Sequence, residues 1–129
     1  MDHMRRALVH SSANNLENNE RLEYLGDSVL QLIASEYLFN CYPNLSEGKL
    51  SIRRAQYVCR ANLVAVAQRM KLGARLILGN GEYRDGGQNK PNILADAVEA
   101  QIGAMYLTYG MQTTRQWVVD NIMARPTVG

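Results

Sequence analysis

The sequence has no apolar run that approaches the roughly 18 residues of a membrane-spanning helix. Its first residues, Met1 to Arg6, lack the apolar core of a signal peptide. These two absences predict a cytoplasmic protein that makes no membrane contact. Segments in which apolar and polar residues alternate are nearly missing as well, and clusters of β-branched residues are few, so β-strands are not expected.

Cysteine and histidine are scarce. Cys41 and Cys59 are far apart and form no C-x-x-C pair, which disfavours a zinc ribbon or a thiol redox motif. We expect two reduced, partly buried thiols, and the sequence leaves one disulfide open. Both histidines, His3 and His10, stand near the N-terminus, so none is expected close to the carboxylates discussed below. No Glu-x-x-His motif occurs, which disfavours a di-iron helical bundle.

The balance of charge is also small. The 129 residues carry a net charge of +2, from 14 Lys and Arg against 12 Asp and Glu. This charge permits nucleic-acid binding without indicating it, so any RNA-binding face must come from local clustering. With 47% hydrophobic and 20% charged residues, the composition predicts one globular domain, residues 1–129.

Helical periodicity is what the chain has in abundance, and it predicts an all-α fold. The expected helices are Met4 to Ser11, Glu20 to Asn40, Lys49 to Lys71, Ile93 to Thr108 and Gln112 to Met123, with one further turn at Arg75 to Leu78. Asn18 or Asn19 is expected to cap the second helix, and Asn92 the helix at Ile93. The segment from Gly79 to Asn92 contains four glycines and is expected to be an exposed loop.

The helix that starts at Glu20 has one apolar stripe, formed by Leu22, Leu25, Val29, Leu32, Ile33 and Tyr37. Gly26 lies within this stripe, and because glycine costs helix stability we expect another part of the chain to approach it closely. Glu23 and Asp27, four residues apart, share one edge of the stripe. Taken alone, such a pair more often belongs to a solvated helix face than to a functional site.

The helix that starts at Ile93 is apolar almost all round, which predicts a central, buried position. Asp96 and Glu99 nevertheless lie within it, and no Lys or Arg occurs between Pro91 and Gly110. Buried carboxylates need a partner. If the two acid pairs face each other, protons or cations must relieve the repulsion, and an all-oxygen site suits Mg²⁺ or Mn²⁺. Such a site is typical of two-metal phosphodiester cleavage.

Two long segments resemble the ribonuclease III family. Glu20 to Leu30, ERLEYLGDSVL, closely resembles the family signature, and Ile93 to Leu107, ILADAVEAQIGAMYL, is similar to its second acidic helix. Ala7 to Ser12 and Glu47 to Ser51 resemble two further elements in the family's order. The resemblance implies the helical fold of a ribonuclease III endonuclease domain, which works as a homodimer.

The resemblance also implies an activity and a site. The family hydrolyses double-stranded RNA in RNA processing, with Mg²⁺ (for which Mn²⁺ can substitute) and no organic cofactor. The products would carry a 5′-phosphate and a 3′-hydroxyl, with short 3′ overhangs. By resemblance, the catalytic, metal-binding carboxylates are Glu23, Asp27, Asp96 and Glu99, of which Glu99 would be the most sensitive to change.

Two further positions of the signature carry implied roles. Glu20 would support the dimer or the RNA contact. Tyr24 takes the place of a family phenylalanine that enters the partner subunit. Candidate RNA contacts are the basic residues Arg53, Arg54, Arg60, Arg69, Lys71, Arg84 and Lys90, for which a solvated basic face is the alternative.

The chain departs from the family pattern in three ways. Arg53 stands where the family usually has an apolar residue. The family's first helix, upstream of the Ala7 element, and its double-stranded-RNA-binding domain are both missing from residues 1–129. Two alternatives remain open: an RNA-binding relative that has lost cleavage, and a dimeric helical protein that holds a structural divalent ion.

Overall fold

A computed structural model describes residues 2–128, and these are almost entirely helical. The helices are α1 (His3–Arg6), α2 (Glu20–Cys41), α3 (Glu47–Val58), α4 (Arg60–Arg69), α5 (Asn80–Arg84), α6 (Pro91–Tyr109) and α7 (Met111–Val118). Two 3₁₀ turns, Leu72–Arg75 and Gly87–Asn89, and a π-helical turn, Val119–Met123, complete them. The described residues form no strand, only an isolated bridge between Val9 and Ile77. The predicted all-α fold is therefore confirmed.

Helix α6 is the centre of the molecule, as its apolar sequence predicts. Five of its residues have no exposed surface: Ala97, Val98, Ala100, Ile102 and Ala104. Helix α2 crosses it over a long contact, and α4, α7 and α1 pack around it. None of the helices in the described part of the chain is long and apolar enough to cross a membrane.

The crossing of α2 and α6 is a contact between two backbones. A Cβ atom on Gly26 would overlap the carbonyl oxygen of Glu99 and lie 2.9 Å from the amide nitrogen of Gly103. A Cβ atom on Gly103 would overlap the carbonyl oxygen of Leu22 and lie 3.0 Å from the nitrogen of Gly26. The close approach expected at Gly26 is confirmed, and it brings the acidic positions of the two helices face to face.

The prediction of a single helix from Lys49 to Lys71 is wrong, because the helix is interrupted at Cys59. Cys59 has an extended backbone (φ −68°, ψ 159°), and the buried side chain of Asn62 donates a hydrogen bond to the carbonyl of Tyr57 at 2.7 Å. The break lets α3 pack on α2 while α4 packs on α6. Two different faces are thereby buried, which a straight helix could not achieve.

The predicted first helix, Met4 to Ser11, is also too long. Helix α1 ends at Arg6, because the next residues pair with a distant segment. The amide of His10 donates to the carbonyl of Ile77 at 3.0 Å, and the amide of Ile77 donates to the carbonyl of Leu8 at 2.8 Å. The turn expected at Arg75 to Leu78 lies instead at Leu72–Arg75, since Ile77 is engaged in this pairing.

The segment from Gly79 to Asn92 is more ordered than the exposed loop we expected. It contains α5 and the 3₁₀ turn Gly87–Asn89, with Gly87 buried against the side chain of Glu82. Helix α6 starts at Pro91, so Asn92 lies inside it and does not cap it. Proline suits this first helical position because its missing N–H would have no partner there.

The cap of α2 is shared between two asparagines. Asn19 occupies the cap position without capping through its side chain, which donates to the carbonyl of Ala7 at 3.2 Å. Asn18 supplies the cap-like contact, since its side-chain oxygen accepts from the amide of Glu20 at 3.0 Å. Both asparagines are buried, so they also tie the N-terminal segment to α2.

Several side chains are more exposed than expected. Leu32 of the apolar stripe is 57% exposed, and Leu107 of α6 is 48% exposed. Cys41 and Cys59 are unpaired, but both are exposed, so the expectation of partly buried thiols is wrong. Each lies at the end of a helix, at the surface of the domain.

Candidate active site

Four carboxylates meet where α2 crosses α6. Helix α2 contributes Glu23 and Asp27, which are one turn apart, and α6 contributes Asp96 and Glu99. Carboxylate oxygens of Glu23, Asp96 and Glu99 all lie within 4.8 Å of one another. Asp27 is more exposed and lies outside this group of three, but it is within hydrogen-bonding reach of Glu99.

Burial, followed by mutual repulsion, raises the pKa values of carboxyl groups in this cluster. Burial, followed by hydrogen bonding and charge from Asp27, raises the pKa of Glu99 to about 8. Burial, followed by the charge of Asp96 and a hydrogen bond to it, raises the pKa of Glu23 to about 7. Burial also raises the pKa of Asp96. Near neutral pH the cluster therefore holds protons that ordinary carboxyl groups would have lost.

Within the part of the chain that the structure describes, no basic side chain forms an ion pair with the cluster. The ion pairs within residues 2–128 are Lys90 with Glu82 and Arg115 with Glu36, and neither includes a residue of the cluster. A hydrogen bond with Glu23, followed by the smaller effects of Arg60 and His10, opposes the effect of burial on the pKa of Asp96. A half-buried group of three carboxylates, supplied with oxygen ligands alone, fits a hard divalent cation such as Mg²⁺ and does not fit zinc.

The nearness of His10 to this cluster corrects the expectation that no histidine would be found there. His10 is far from Asp96 in sequence, but backbone hydrogen bonds hold its segment beside the start of α2 and the residues before α5. Val9 accepts a hydrogen bond from the amide of Asn19 at 2.8 Å, and His10 itself pairs with Ile77. The motif Ala7 to Ser12 was the signal available in the sequence, but nothing in its composition indicates where the chain folds back.

Glu20 and Tyr24 lie beside the cluster on the exposed side of α2. Glu20 is exposed in the first turn, and its charge helps to raise the pKa of Glu23. Tyr24 points into solvent and is 81% exposed. It borders an open groove of about 410 Å³, whose lining also includes His3, Arg6, Arg21, Leu22, Leu25 and Leu107.

Four of the basic residues proposed to contact RNA, Arg53, Arg54, Arg84 and Lys90, lie in two separate places. On α3, the guanidinium of Arg53 lies 4.4 Å from the centre of the Tyr42 ring, and Arg54 donates to the hydroxyl of Ser35 at 2.9 Å. Near the start of α6, Lys90 pairs with Glu82 at 2.6 Å, and Arg84 is exposed. Three of the four thus already have a partner within the domain.

Comparison with known proteins gives one consistent result. A family model described as ribonuclease-III-like matches residues 2–126. Ribonuclease 3 of Heliobacterium modesticaldum is 55% identical over 104 residues, which are 81% of this chain and 44% of that protein. Ribonuclease 3 of Borreliella burgdorferi is 46% identical over 123 residues, which are 92% of this chain and 50% of that protein. The chain spans about half the length of the curated relatives it matches.

Solved structures agree with the sequences. The crystal structure of the nuclease domain of ribonuclease III from Campylobacter jejuni superposes with a TM-score of 0.90 at 38% identity, over 98% of this chain and 86% of that one. A second structure of that domain, concerned with flexibility in a region involved in dimer formation, gives a TM-score of 0.87 at 38% identity, over 92% of this chain and 85% of that one.

Proposed function

The chain belongs to the ribonuclease-III-like family, and on that premise we propose that it is an endoribonuclease that cuts double-stranded RNA. One observation carries the proposal beyond family membership. The contact of α2 with α6 holds Glu23, Asp96 and Glu99 together, no ion pair among residues 2–128 neutralises them, and burial raises the pKa of all three. A site that gathers like charges in this way is prepared for a cation.

Glu23, Asp96 and Glu99 would hold Mg²⁺, or Mn²⁺ in its place, and Asp27 would orient Glu99 and complete the ligand set. Two bound ions would activate water for attack on phosphorus and stabilise the charge that develops on the leaving oxygen. The protein contributes a fixed arrangement of ligands on two helices in contact. Deprotonation of Glu23 and Glu99 makes that arrangement fully anionic. The expected products carry a 5′-phosphate and a 3′-hydroxyl, with short 3′ overhangs.

We further propose that the active form is a homodimer in which each acid cluster cuts one RNA strand. The support is the exposure of Tyr24 next to an open, largely apolar groove, the kind of surface that commonly marks an interface. Tyr24 would enter the partner subunit, and Glu20 would support this interface or the RNA. The Campylobacter jejuni domain, which this chain resembles closely in shape, has a region involved in dimer formation.

Arg53, Arg54, Arg84 and Lys90 remain proposed RNA contacts. Arg84 has the strongest case, because it is exposed and no ion pair in the described residues engages it. Phosphate contacts by such residues make binding weaken steeply as salt concentration rises. Lys90 would have to leave Glu82, and Arg53 the Tyr42 ring, in order to meet a phosphate.

The test is cleavage of a long double-stranded RNA by the chain in Mg²⁺ at low salt. We expect the wild type to cut, and EDTA to abolish cutting. Glu99→Gln should lower the rate at least ~100-fold, because it removes a cation ligand with almost no change in shape. Asp120→Asn, a similar change at a carboxylate on the C-terminal turn, is the matched control and should cut normally.

Two outcomes would contradict the proposal. If the wild type binds the RNA and leaves it intact, the chain is an RNA-binding relative without cleavage. If Glu99→Gln cuts as fast as the wild type, the carboxylates at the crossing are not the active site.

A further inference from the structure

The ring of His10 is held in one orientation by its own turn, residues 10–12. The backbone amide of Ser12 lies 3.1 Å from Nδ1 of His10, and since an amide can only donate, Nδ1 must accept. The hydroxyl of Ser12 lies 2.8 Å from the same nitrogen. That hydroxyl accepts a hydrogen bond from the amide of Gly79 at 2.9 Å, so its own proton is free to point at Nδ1.

These contacts determine which ring nitrogen carries the proton. With Nδ1 occupied as an acceptor, the hydrogen must be on Nε2, on the opposite side of the ring. Within residues 2–128 the hydrogen bonds of the His10 side chain are those to Ser12, all at Nδ1. Nε2 is therefore an oriented N–H donor without an acceptor in the described part of the protein.

The donor lies at the rim of the acid cluster. Backbone hydrogen bonds place it there: the carbonyl of Val9 accepts from the amide of Asn19 at 2.8 Å, and the carbonyl of Asn19 accepts from the amide of Glu23 at 2.9 Å. Glu82 is already paired with Lys90 at 2.6 Å. An anionic RNA strand that approaches the acid cluster meets negative charge there, so donors at its rim would aid its approach.

We propose that His10 is a substrate-contacting residue, whose Nε2–H donates a hydrogen bond to the phosphodiester backbone of the RNA beside the acid cluster. The inference rests on the proposed function, since it needs RNA in that site. It assigns to the turn 10–12 a task that the four carboxylates do not perform: they hold cations, whereas His10 holds the strand. Ser12 and Gly79 act through His10 as positioning residues.

Two substitutions separate this role from a structural one. In His10→Asn the side-chain oxygen takes the place of Nδ1 and can still accept from the amide of Ser12, but no atom reaches the place of Nε2. In His10→Gln the longer side chain can put an N–H close to the place of Nε2. The first variant removes the donor and keeps the turn, and the second restores the donor.

The experiment measures steady-state cleavage of double-stranded RNA in Mg²⁺, together with the melting temperature of each variant. We expect His10→Asn to raise KM by about 10-fold or more, the usual effect of losing one hydrogen bond to a charged group, with kcat little changed. The melting temperature should stay close to that of the wild type. His10→Gln should recover most of the loss in KM.

Binding is measured separately by fluorescence anisotropy in the cleavage-deficient Glu99→Gln chain, where adding His10→Asn should weaken the Kd for RNA by about the same factor. An unchanged KM in His10→Asn would overturn the inference. So would a loss of activity that follows the melting temperature in both variants, which indicates a structural role only. If the wild type itself does not cut, the proposed function fails, and the anisotropy measurement still decides whether His10 contacts RNA.

Discussion

At the scale of single residues, Glu23 and Glu99 make the stability of the metal-free protein depend on pH. The pKa of each is raised in the folded state, to about 7 and about 8, above the ordinary value of 4.5. Between pH 4.5 and about 8, the folded protein thus binds more protons than the unfolded chain. The resulting stability is fully present below pH 4.5 and is lost as the pH rises through 7 and 8.

We therefore expect the melting temperature in EDTA to be higher near pH 6 than near pH 8.5, as followed by circular dichroism. Glu99→Gln should flatten this dependence and raise the melting temperature at the higher pH, because a neutral amide removes one of the repelling charges. Mg²⁺ should do the same for the wild type by binding the anionic form. If the melting temperature depends on pH equally in the wild type and in Glu99→Gln, Glu99 is not responsible for the pH dependence.

The sequence could predict the positions of the acidic residues in the site, but it could not predict the position of His10. Asp96 and Glu99 stand out because they interrupt an otherwise apolar helix, and helical geometry alone puts them on one narrow sector. That His10 is near Asp96 depends on the hydrogen bonds of His10 with Ile77 and of Val9 with Asn19. Pairings of this kind between distant, irregular segments leave no periodic pattern, so the sequence could not indicate them.

At the scale of secondary-structure elements, the contact between α2 and α6 is the feature most sensitive to substitution. We expect Gly26→Ala to lower the free energy of unfolding by about 3 kcal/mol, since a methyl group there meets the carbonyl of Glu99 and forces two helices apart. The clash should outweigh the gain of about 1 kcal/mol in helix propensity. Urea denaturation measures the change.

Gly48→Ala is the matched control for that substitution. Gly48 lies in the first turn of α3, and a Cβ atom on it would have nothing within 4 Å. The same replacement should leave stability unchanged or raise it by up to about 1 kcal/mol. If Gly26→Ala proves as harmless as Gly48→Ala, the backbones of α2 and α6 are not in contact.

The long helices were predictable and the breaks were not. Both α2 and α6 follow from regular apolar spacing, and their observed ends lie within a few residues of the expected ones. The extended residue at Cys59 lies between two segments that each continue the helical pattern, so only packing against α2 and α6 explains the turn. The sequence around α5 has the glycines of a loop, and contacts of Gly87 with Glu82 and of Gln88 with the distant Gly73 order it.

At the scale of the whole molecule, the exposed Tyr24 predicts how the chain assembles. We expect Tyr24→Asp to shift the protein from dimer to monomer in sedimentation velocity, because it puts a charge where an aromatic ring would be buried. Tyr24→Phe should preserve the dimer. The melting temperature of the Tyr24→Asp monomer shows whether the fold survives without a partner.

The control for assembly is Phe39→Ala. Phe39 is an aromatic residue of the same helix, 69% exposed, and it lies 15 positions beyond Tyr24, about 22 Å along the axis. Its loss should leave the sedimentation coefficient unchanged. If the wild type sediments as a monomer at every concentration, the proposed dimer does not form. If Tyr24→Asp and Phe39→Ala both abolish the dimer to the same extent, Tyr24 is not specifically part of the interface.

The contact between Gly26 and Gly103 has one further consequence, which concerns the lengths of the acidic side chains. Since the two peptide backbones already touch, α2 and α6 cannot move closer to compensate for a carboxylate that is one methylene group too short. A Glu at positions 23 and 99 and an Asp at position 96 are therefore not interchangeable. The choice between two chemically equivalent acids is made by the separation of the helix axes, and so by two residues that have no side chain at all.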